Sequence, residues 1–307
     1  MLATAVAADQ RLPLGPDWAY EVKWDGVRML ADTRAGVLQL WSRSGRDITM
    51  VYPELAGLET IQGAVLDGEV ISIHDGRPSF EALSERMGVT DAHHALVLAG
   101  RSPVMYMVFD VLMLYGVDLT RHPYAERRAT LERLTLPERC SLSPRYEDGA
   151  ALWEATREHG VEGVVAKRLS STYQAGRRSP DWVKAAHRHH RAATVCAWRP
   201  ASTGSGRLAS LLLGAPDAEG RIHFLGRAGS GIGSRLAAEL TRRLGPLARP
   251  DSPFAEPVPA VDAREAHWCE PGVSVEVLYR ERTSAGRLRH PVVLGIRDDD
   301  TADPWEE

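Results

Sequence analysis

The chain has 307 residues, 44% of them hydrophobic and 25% charged, enough for two domains with cores of their own. Its 37 Lys and Arg against 41 Asp and Glu give a net charge of −4, which excludes nucleic-acid binding by global charge and requires any basic surface to be local. No stretch approaches the roughly 18 apolar residues of a membrane span, and Met1–Leu14 carries Asp9 and no basic start, so it does not read as a signal peptide and a cytoplasmic protein is expected.

Strand-like runs dominate the first two-thirds. Val27–Ala31 and Val37–Trp41 flank Arg34-Ala35-Gly36 and predict a hairpin. Ala64–Ile73 and Pro103–Leu114 are β-branched or aromatic runs bounded by turn residues, and Val161–Lys167 follows the breaker Gly160. Helical patterns over Ser79–Met87, Tyr124–Leu134 and Ala150–His159 lie between them, which makes this an α+β domain rather than a βαβ repeat. Pro200–Gly206 is linker-like or loop-like. Beyond it, Leu208–Leu213, Arg221–Gly226, Ser274–Tyr279 and Val292–Ile296 read as short strands with one helix at Ser234–Leu244. That pattern predicts a small closed barrel of the OB type. The boundary is expected within 186–192, giving domains 1–188 and 189–307, and the acidic Asp298–Glu307 end reads as a solvated tail. Cys140, Cys196 and Cys269 are far apart and form no C-x-x-C pair, as expected of reduced thiols.

Of the 37 basic residues only three are lysine: Lys23, Lys167 and Lys184. Abundant Ala, Arg and Gly suggest a GC-rich genome that drives Lys to Arg wherever chemistry permits. A surface charge tolerates the exchange, whereas a nucleophilic amine does not, because guanidinium stays protonated. Each lysine is therefore a candidate for chemistry. Lys23 lies just past a strand in Glu21-Val-Lys-Trp-Asp-Gly-Val-Arg28, where Gly26 permits close approach and Arg28 can clamp a phosphate. A lysine needs burial or a neighbouring cation to free its lone pair. Lys167 ends Glu162-Gly-Val-Val-Ala-Lys167, and Lys184 follows in Asp181-Trp-Val-Lys184; three lysines would neutralise a triphosphate attacked in line. Asp67 and Glu69 share a strand face and offer carboxylates for Mg²⁺, with Glu162 a third candidate.

The ordered set Lys23-x-Asp-Gly-x-Arg28, Ser42-Arg-Ser-Gly45, Asp67-Gly-Glu69, Val108-Phe-Asp110, Glu162–Lys167 and Trp182-Val-Lys184 resembles the covalent nucleotidyltransferase superfamily of ATP-dependent DNA ligases, RNA ligases and capping guanylyltransferases. The stretch Gly286–Pro291 with Gly295–Asp299 is most similar to the ligase modules of bacterial end-joining DNA ligases. The resemblance implies an N-terminal adenylation domain with antiparallel sheets and a C-terminal OB-fold. It implies an ATP-dependent DNA ligase, with Mg²⁺ (or Mn²⁺), acting on nicked or broken duplex DNA, cytoplasmic and nucleoid-associated when acting.

Residue by residue, the resemblance implies that Lys23 attacks the α-phosphate of ATP, while Lys167 and Lys184 grip it. Glu21 and Phe109 lie against adenine, and Arg28 and Glu69 contact ribose or phosphates. Glu69 and Glu162 hold metal, and Arg43 positions the nucleotide or the DNA 5′-phosphate. Arg297 and Asp299 swing over with the barrel to orient pyrophosphate. A start so close to Lys23 leaves no room for a preceding DNA-binding domain, and the end-joining resemblance points to a Ku-type end-binding partner. The alternatives are an RNA ligase or capping-type enzyme and a non-catalytic binding protein. Two departures bear on phosphate binding: Ala186 stands where a second basic residue is usual, with Arg188 or His187 as substitutes, and Asp300 stands where a lysine is usual.

Three weaker signals read structurally. Gly226–Ser234 lacks dinucleotide-fingerprint spacing and reads as a barrel loop with Ser234 as N-cap. His187, His189 and His190 read as a basic linker face rather than a metal site. Arg177, Arg178, Arg188 and Arg191 form the best local basic patch for backbone phosphates, and no base-reading module is visible.

Overall fold

The computed structural model describes residues 1–6, 12–74, 77–201, 206–297, 299 and 301–306. It divides into two compact units, Met1–His187 and Arg188–Glu307.

In the first unit, β1 (Leu2–Ala5), β2 (Trp18–Val22), β3 (Val27–Asp32), β4 (Gln39–Ser42), β5 (Val65–His74) and β6 (Arg77–Pro78) precede α1 (Phe80–Ser84) and α2 (Ala92–Arg101). Then follow β7 (Val104–Leu114), β8 (Val117–Asp118), α3 (Tyr124–Leu131), β9 (Cys140–Leu142), β10 (Arg145–Tyr146), α4 (Gly149–Glu158), β11 (Gly163–Arg168) and β12 (Arg178–Ala186). These strands form two sheets. One runs β4-β3-β5-β7-β8, with β6 on β5 and β9 on β7; the other runs β1-β12-β11-β2-β10. Pairing is antiparallel except for β1 with β12 and β9 with β7.

Local chemistry accounts for the elements. The β3–β4 turn closes through Gly36 at φ +78°, whose N–H donates to the Thr33 carbonyl. Asp148 caps α4 by accepting from the N–H groups of Ala150 and Ala151. α1 is only five residues long, because Ser79 caps it at Ala82 and it stops at Ser84; the sequence pattern had extended it to Met87. α2, capped by Asp91, was not anticipated. Leu40, Leu55, Leu58, Val70 and Val108 fill the first sheet's core, and Tyr20, Leu152, Val164 and Ala166 that of the second. Each buried Leu or Val among them stabilises by about 1.5–3 kcal/mol.

The second unit holds β13 (His189–Pro200), β14 (Leu208–Pro216), β15 (Ile222–Ala228), α5 (Ser234–Leu244), α6 (Ala260–Ala263), β16 (His267–Trp268), β17 (Ser274–Tyr279) and β18 (Val292–Ile296). They form one antiparallel sheet, β15-β14-β13-β17-β18, with β16 on β13. Register shifts bend the ladders at Val195/Ala197, Leu213/Gly214 and Glu276/Val277, and a bridge between Ser230 and Val292 joins the two outer strands into a barrel. At this closure Gly231 has φ +86°, and a Cβ there would lie 2.0 Å from the Val293 carbonyl oxygen. The glycine-rich segment is thus a barrel loop. α5 buries Ala237, Leu240 and Leu244 against the barrel core.

Three sequence expectations are corrected here. Ser234 is the first residue of α5, whose N-cap is Gly233 with no side-chain cap bond. The acidic C-terminal end is not a free tail. The Ala192 N–H donates to Asp303, Arg191 donates to the carbonyls of Asp303 and Pro304, and Trp305 stacks on His223 and under the Arg282 guanidinium. Arg191 is consequently buried and leaves the proposed basic patch. Asp300 lies outside the described residues.

Candidate active site

The chain crosses from one sheet of the first unit to the other between β2 and β3, through Lys23-Trp-Asp-Gly26. Lys23 is anchored by its backbone N–H donating to Gly163, 2.9 Å away. The crossing is tight: a Cβ on Gly26 would lie 2.0 Å from the Val70 carbonyl oxygen and 2.9 Å from Glu69 Cγ. Between the sheets lies a cavity of about 220 Å³. Glu21, Lys23, Lys167 and Lys184 line it from one sheet and its margins; Arg28, Arg43, Glu69 and Phe109 line it from the other. All three lysines of the chain therefore open onto one cavity.

Lys23 Nζ is ion-paired with Glu162, whose side chain is largely buried. Lys167 is almost fully buried; its Nζ donates to Glu21 Oε1 at 2.6 Å and to the Phe109 carbonyl at 3.2 Å, and lies 4.4 Å above the Phe109 ring. Burial lowers its ammonium pKa, while Glu21 and Asp110 oppose the shift. Lys184 is shifted down by burial and by Lys23, with Glu162 opposing. Burial pushes the Glu69 carboxyl up to about 8 against the pull of Lys23 and Arg28.

Arg28 is held by a fork of bonds to Asp67, 3.0 and 2.6 Å long, and Tyr173 donates to the same carboxylate at 2.7 Å. Asp67, paired with Glu69 in the sequence reading as a source of metal ligands, is instead committed to Arg28. Behind it, the buried pair Asp110–Arg127 ties β7 to α3. Sequence reasoning missed Tyr173, Arg127 and Tyr124, because their partners lie on other elements, over a hundred residues away for Tyr173 and Tyr124, and no local pattern announces them. Phe109 meets Trp182 edge to face at 6.0 Å. His187 packs against Trp153, ring centroids 3.9 Å apart and tilted by 37°, and bonds Thr156, so it is turned to α4. In the second unit Arg297 bonds Asp299 and Glu276.

Among the described residues no three His, Cys, Asp or Glu side chains cluster as a metal cage. Two carboxylates, Glu69 and Glu162, electrostatically coupled to each other and to Lys23, suit instead a hard ion that draws its remaining oxygens from phosphate and water, the habit of Mg²⁺.

The fold of this chain is matched by solved DNA ligases. The structure of a mycobacterial DNA ligase D complexed with ATP and MES matches at a TM-score of 0.52 with 35% identity, over 97% of this chain and 95% of that one. A minimal Lig E DNA ligase matches in fold at 0.65 with 19% identity, over 96% and 98%. Residues 1–185 match the family described as "ATP dependent DNA ligase domain", and residues 204–300 "ATP dependent DNA ligase C terminal region". The chain belongs to the ATP-dependent DNA ligase family. Among curated relatives, the multifunctional non-homologous end joining protein LigD of Mycolicibacterium smegmatis is 38% identical over 94% of this chain and 37% of its own length. The corresponding Mycobacterium tuberculosis protein is 40% identical over 92% and 36%. The chain thus spans little more than a third of these relatives. No helix among the described residues is long and apolar enough to cross a membrane.

Proposed function

We propose that the protein seals 3′-hydroxyl/5′-phosphate breaks in duplex DNA with ATP, through AMP carried on Lys23, in repair or end joining. The observation that carries this reading is the convergence of Lys23, Lys167, Lys184, Arg28 and Arg43 with two carboxylates on one cavity. In the first step Lys23 Nζ bonds to the α-phosphorus of ATP, and the bond from that phosphorus to pyrophosphate breaks. The ammonium must first lose a proton, and Glu162, already against Nζ, is the base at hand. Lys184 and the remaining N–H of Lys167 face the α-phosphate, Arg28 and Glu69 the ribose and phosphates, and Glu21 and Phe109 the base. Glu69 and Glu162 would hold a Mg²⁺, which would supply charge neutralisation of the triphosphate.

AMP then passes to the DNA 5′-phosphate, with Arg43 positioned to hold it. The 3′-hydroxyl attacks that phosphorus and AMP leaves. Arg297 and Asp299, bound to each other at rest, part to meet the leaving pyrophosphate. A groove of about 530 Å³ on the second unit, lined by Arg199, Arg227, Ser210 and Ser230, suits contact with backbone phosphates without base reading. A Ku-type end-binding protein is the proposed partner and the bacterial cytoplasm, at the nucleoid, the proposed location. The test is sealing of a labelled nicked duplex with ATP and Mg²⁺, against the same nick in an all-RNA duplex. Sealing of DNA alone supports the proposal, and sealing of RNA alone replaces it with an RNA ligase.

A further inference from the structure

The residue behind the cavity wall with the most specific geometry is Tyr124, the first residue of α3. It is fully buried, and its backbone N–H is tied to the Ser171 carbonyl at 2.8 Å. Its hydroxyl donates to Oε1 of Glu21. Arg128, one helical turn on, places Nη1 3.8 Å from that same oxygen, while its Nε bonds Glu132 at 2.7 Å. Lys167 Nζ bonds Oε1 from the cavity side at 2.6 Å. Two hydrogen bonds thus meet on one carboxylate oxygen, and the Arg128 guanidinium adds its charge nearby without donating to it. Oε2 accepts from no described residue, and Glu21 lines the cavity. Oε1 is held between Tyr124 and Lys167, whereas Oε2 takes no hydrogen bond from the described residues.

We propose that Tyr124, backed by Arg128, is a positioning residue that locks Glu21 with Oε2 turned to the cavity, and so sets the preference for a nucleobase offering an exocyclic amino group where adenine carries one. A carboxylate oxygen only accepts, so it rewards an N–H donor and leaves a carbonyl oxygen at that place unpaired and repelled. Without the Tyr124 bond, the carboxylate turns toward Lys167 and Arg128, and the acceptor facing the base is lost. The phenol suits this task because burial and the neighbouring Glu21 hold its ionisation well above the ordinary range, keeping the hydroxyl a donor. The inference rests on the reading of the cavity as the ATP site.

The test compares labelling of Lys23 by ATP and by inosine triphosphate, which carries oxygen in place of the amino group, in wild type, Tyr124→Phe and Arg128→Met. In wild type the ratio of kcat/KM for the two nucleotides is expected to favour ATP strongly. In Tyr124→Phe the ratio is expected to fall about tenfold or more, through a raised KM for ATP with kcat little changed, and in Arg128→Met it falls less. A merely structural role would lower labelling by both nucleotides alike and leave the ratio in place. An unchanged ratio in both variants, with wild type labelled by ATP, overturns the proposal. Wild type that takes no label overturns the reading of the cavity and the proposal with it.

Discussion

Lys23 Nζ and Glu162 form an ion pair across the mouth of the β2–β3 crossing, the lysine partly exposed and the carboxylate largely buried. In the proposed mechanism the pair gives an acid–base partner to the amine, which would have to shed a proton before attacking phosphorus. Replacing Glu162 with Ala removes that partner and one of two candidate metal ligands together. AMP transfer to Lys23 is expected to slow by about 10²-fold or more, measured as single-turnover labelling. A variant that labels at the wild-type rate contradicts the role given to Glu162.

Asp67 gives a different kind of prediction, because its charge faces another side chain rather than a ligand. It is fully buried and grips Arg28 through two bonds. Asp67→Ala strands the guanidinium, and removing one member of such a pair costs about 3–5 kcal/mol. Arg28 keeps some contact with solvent, so the lower end is expected, read as a fall in the denaturant midpoint at constant slope. A loss below about 1 kcal/mol would place the pair with ordinary surface ion pairs.

The pH dependence follows from Glu69, whose carboxyl burial raises to about 8. The folded state holds this proton more tightly than the unfolded chain. The associated stability is therefore complete below the ordinary pKa near 4.5 and is lost as pH rises through 8. Without nucleotide and divalent ion, wild type should lose more Tm than Glu69→Gln between about pH 6 and about pH 9. Parallel curves for the two proteins would contradict the shift.

Much of this site was legible in the sequence for a chemical reason. Arginine replaces lysine wherever only charge matters, so Lys23, Lys167 and Lys184 stood out against the other basic residues, and all three line the cavity. Strand periodicity placed Asp67 and Glu69 on one face, but could not tell which of them meets Arg28. That depends on β3–β5 register, on Tyr173 over a hundred residues away, and on a ladder irregularity between Asp67 and Gly68. The same limit explains Arg191 and Trp305. Both read as solvated by composition and are held in part by residues far off in the chain, Arg191 by Asp303 and Trp305 by His223.

Trp305 supplies a prediction confined to the second unit. Its ring lies 4.9 Å from His223 and 4.7 Å from the Arg282 guanidinium carbon, while its backbone N–H donates to the Pro216 carbonyl at 2.6 Å, a bond that alanine keeps. Trp305→Ala should destabilise the barrel by about 2–3 kcal/mol, below the full cost of a core tryptophan because the residue is only partly buried. Tryptophan fluorescence and thermal melting measure it; an unchanged melting profile would mean that the terminal segment packs without stabilising.

The most direct test of the account is covalent labelling of Lys23. Protein stripped of bound AMP with pyrophosphate is mixed with α-labelled ATP and Mg²⁺, beside Lys23→Ala and Lys23→Arg, and run on a denaturing gel. The account predicts a labelled wild-type band and none in either variant, because neither methyl nor guanidinium can attack phosphorus. Label that persists in the variants would move the nucleophile elsewhere, and its absence from wild type would remove the covalent mechanism altogether.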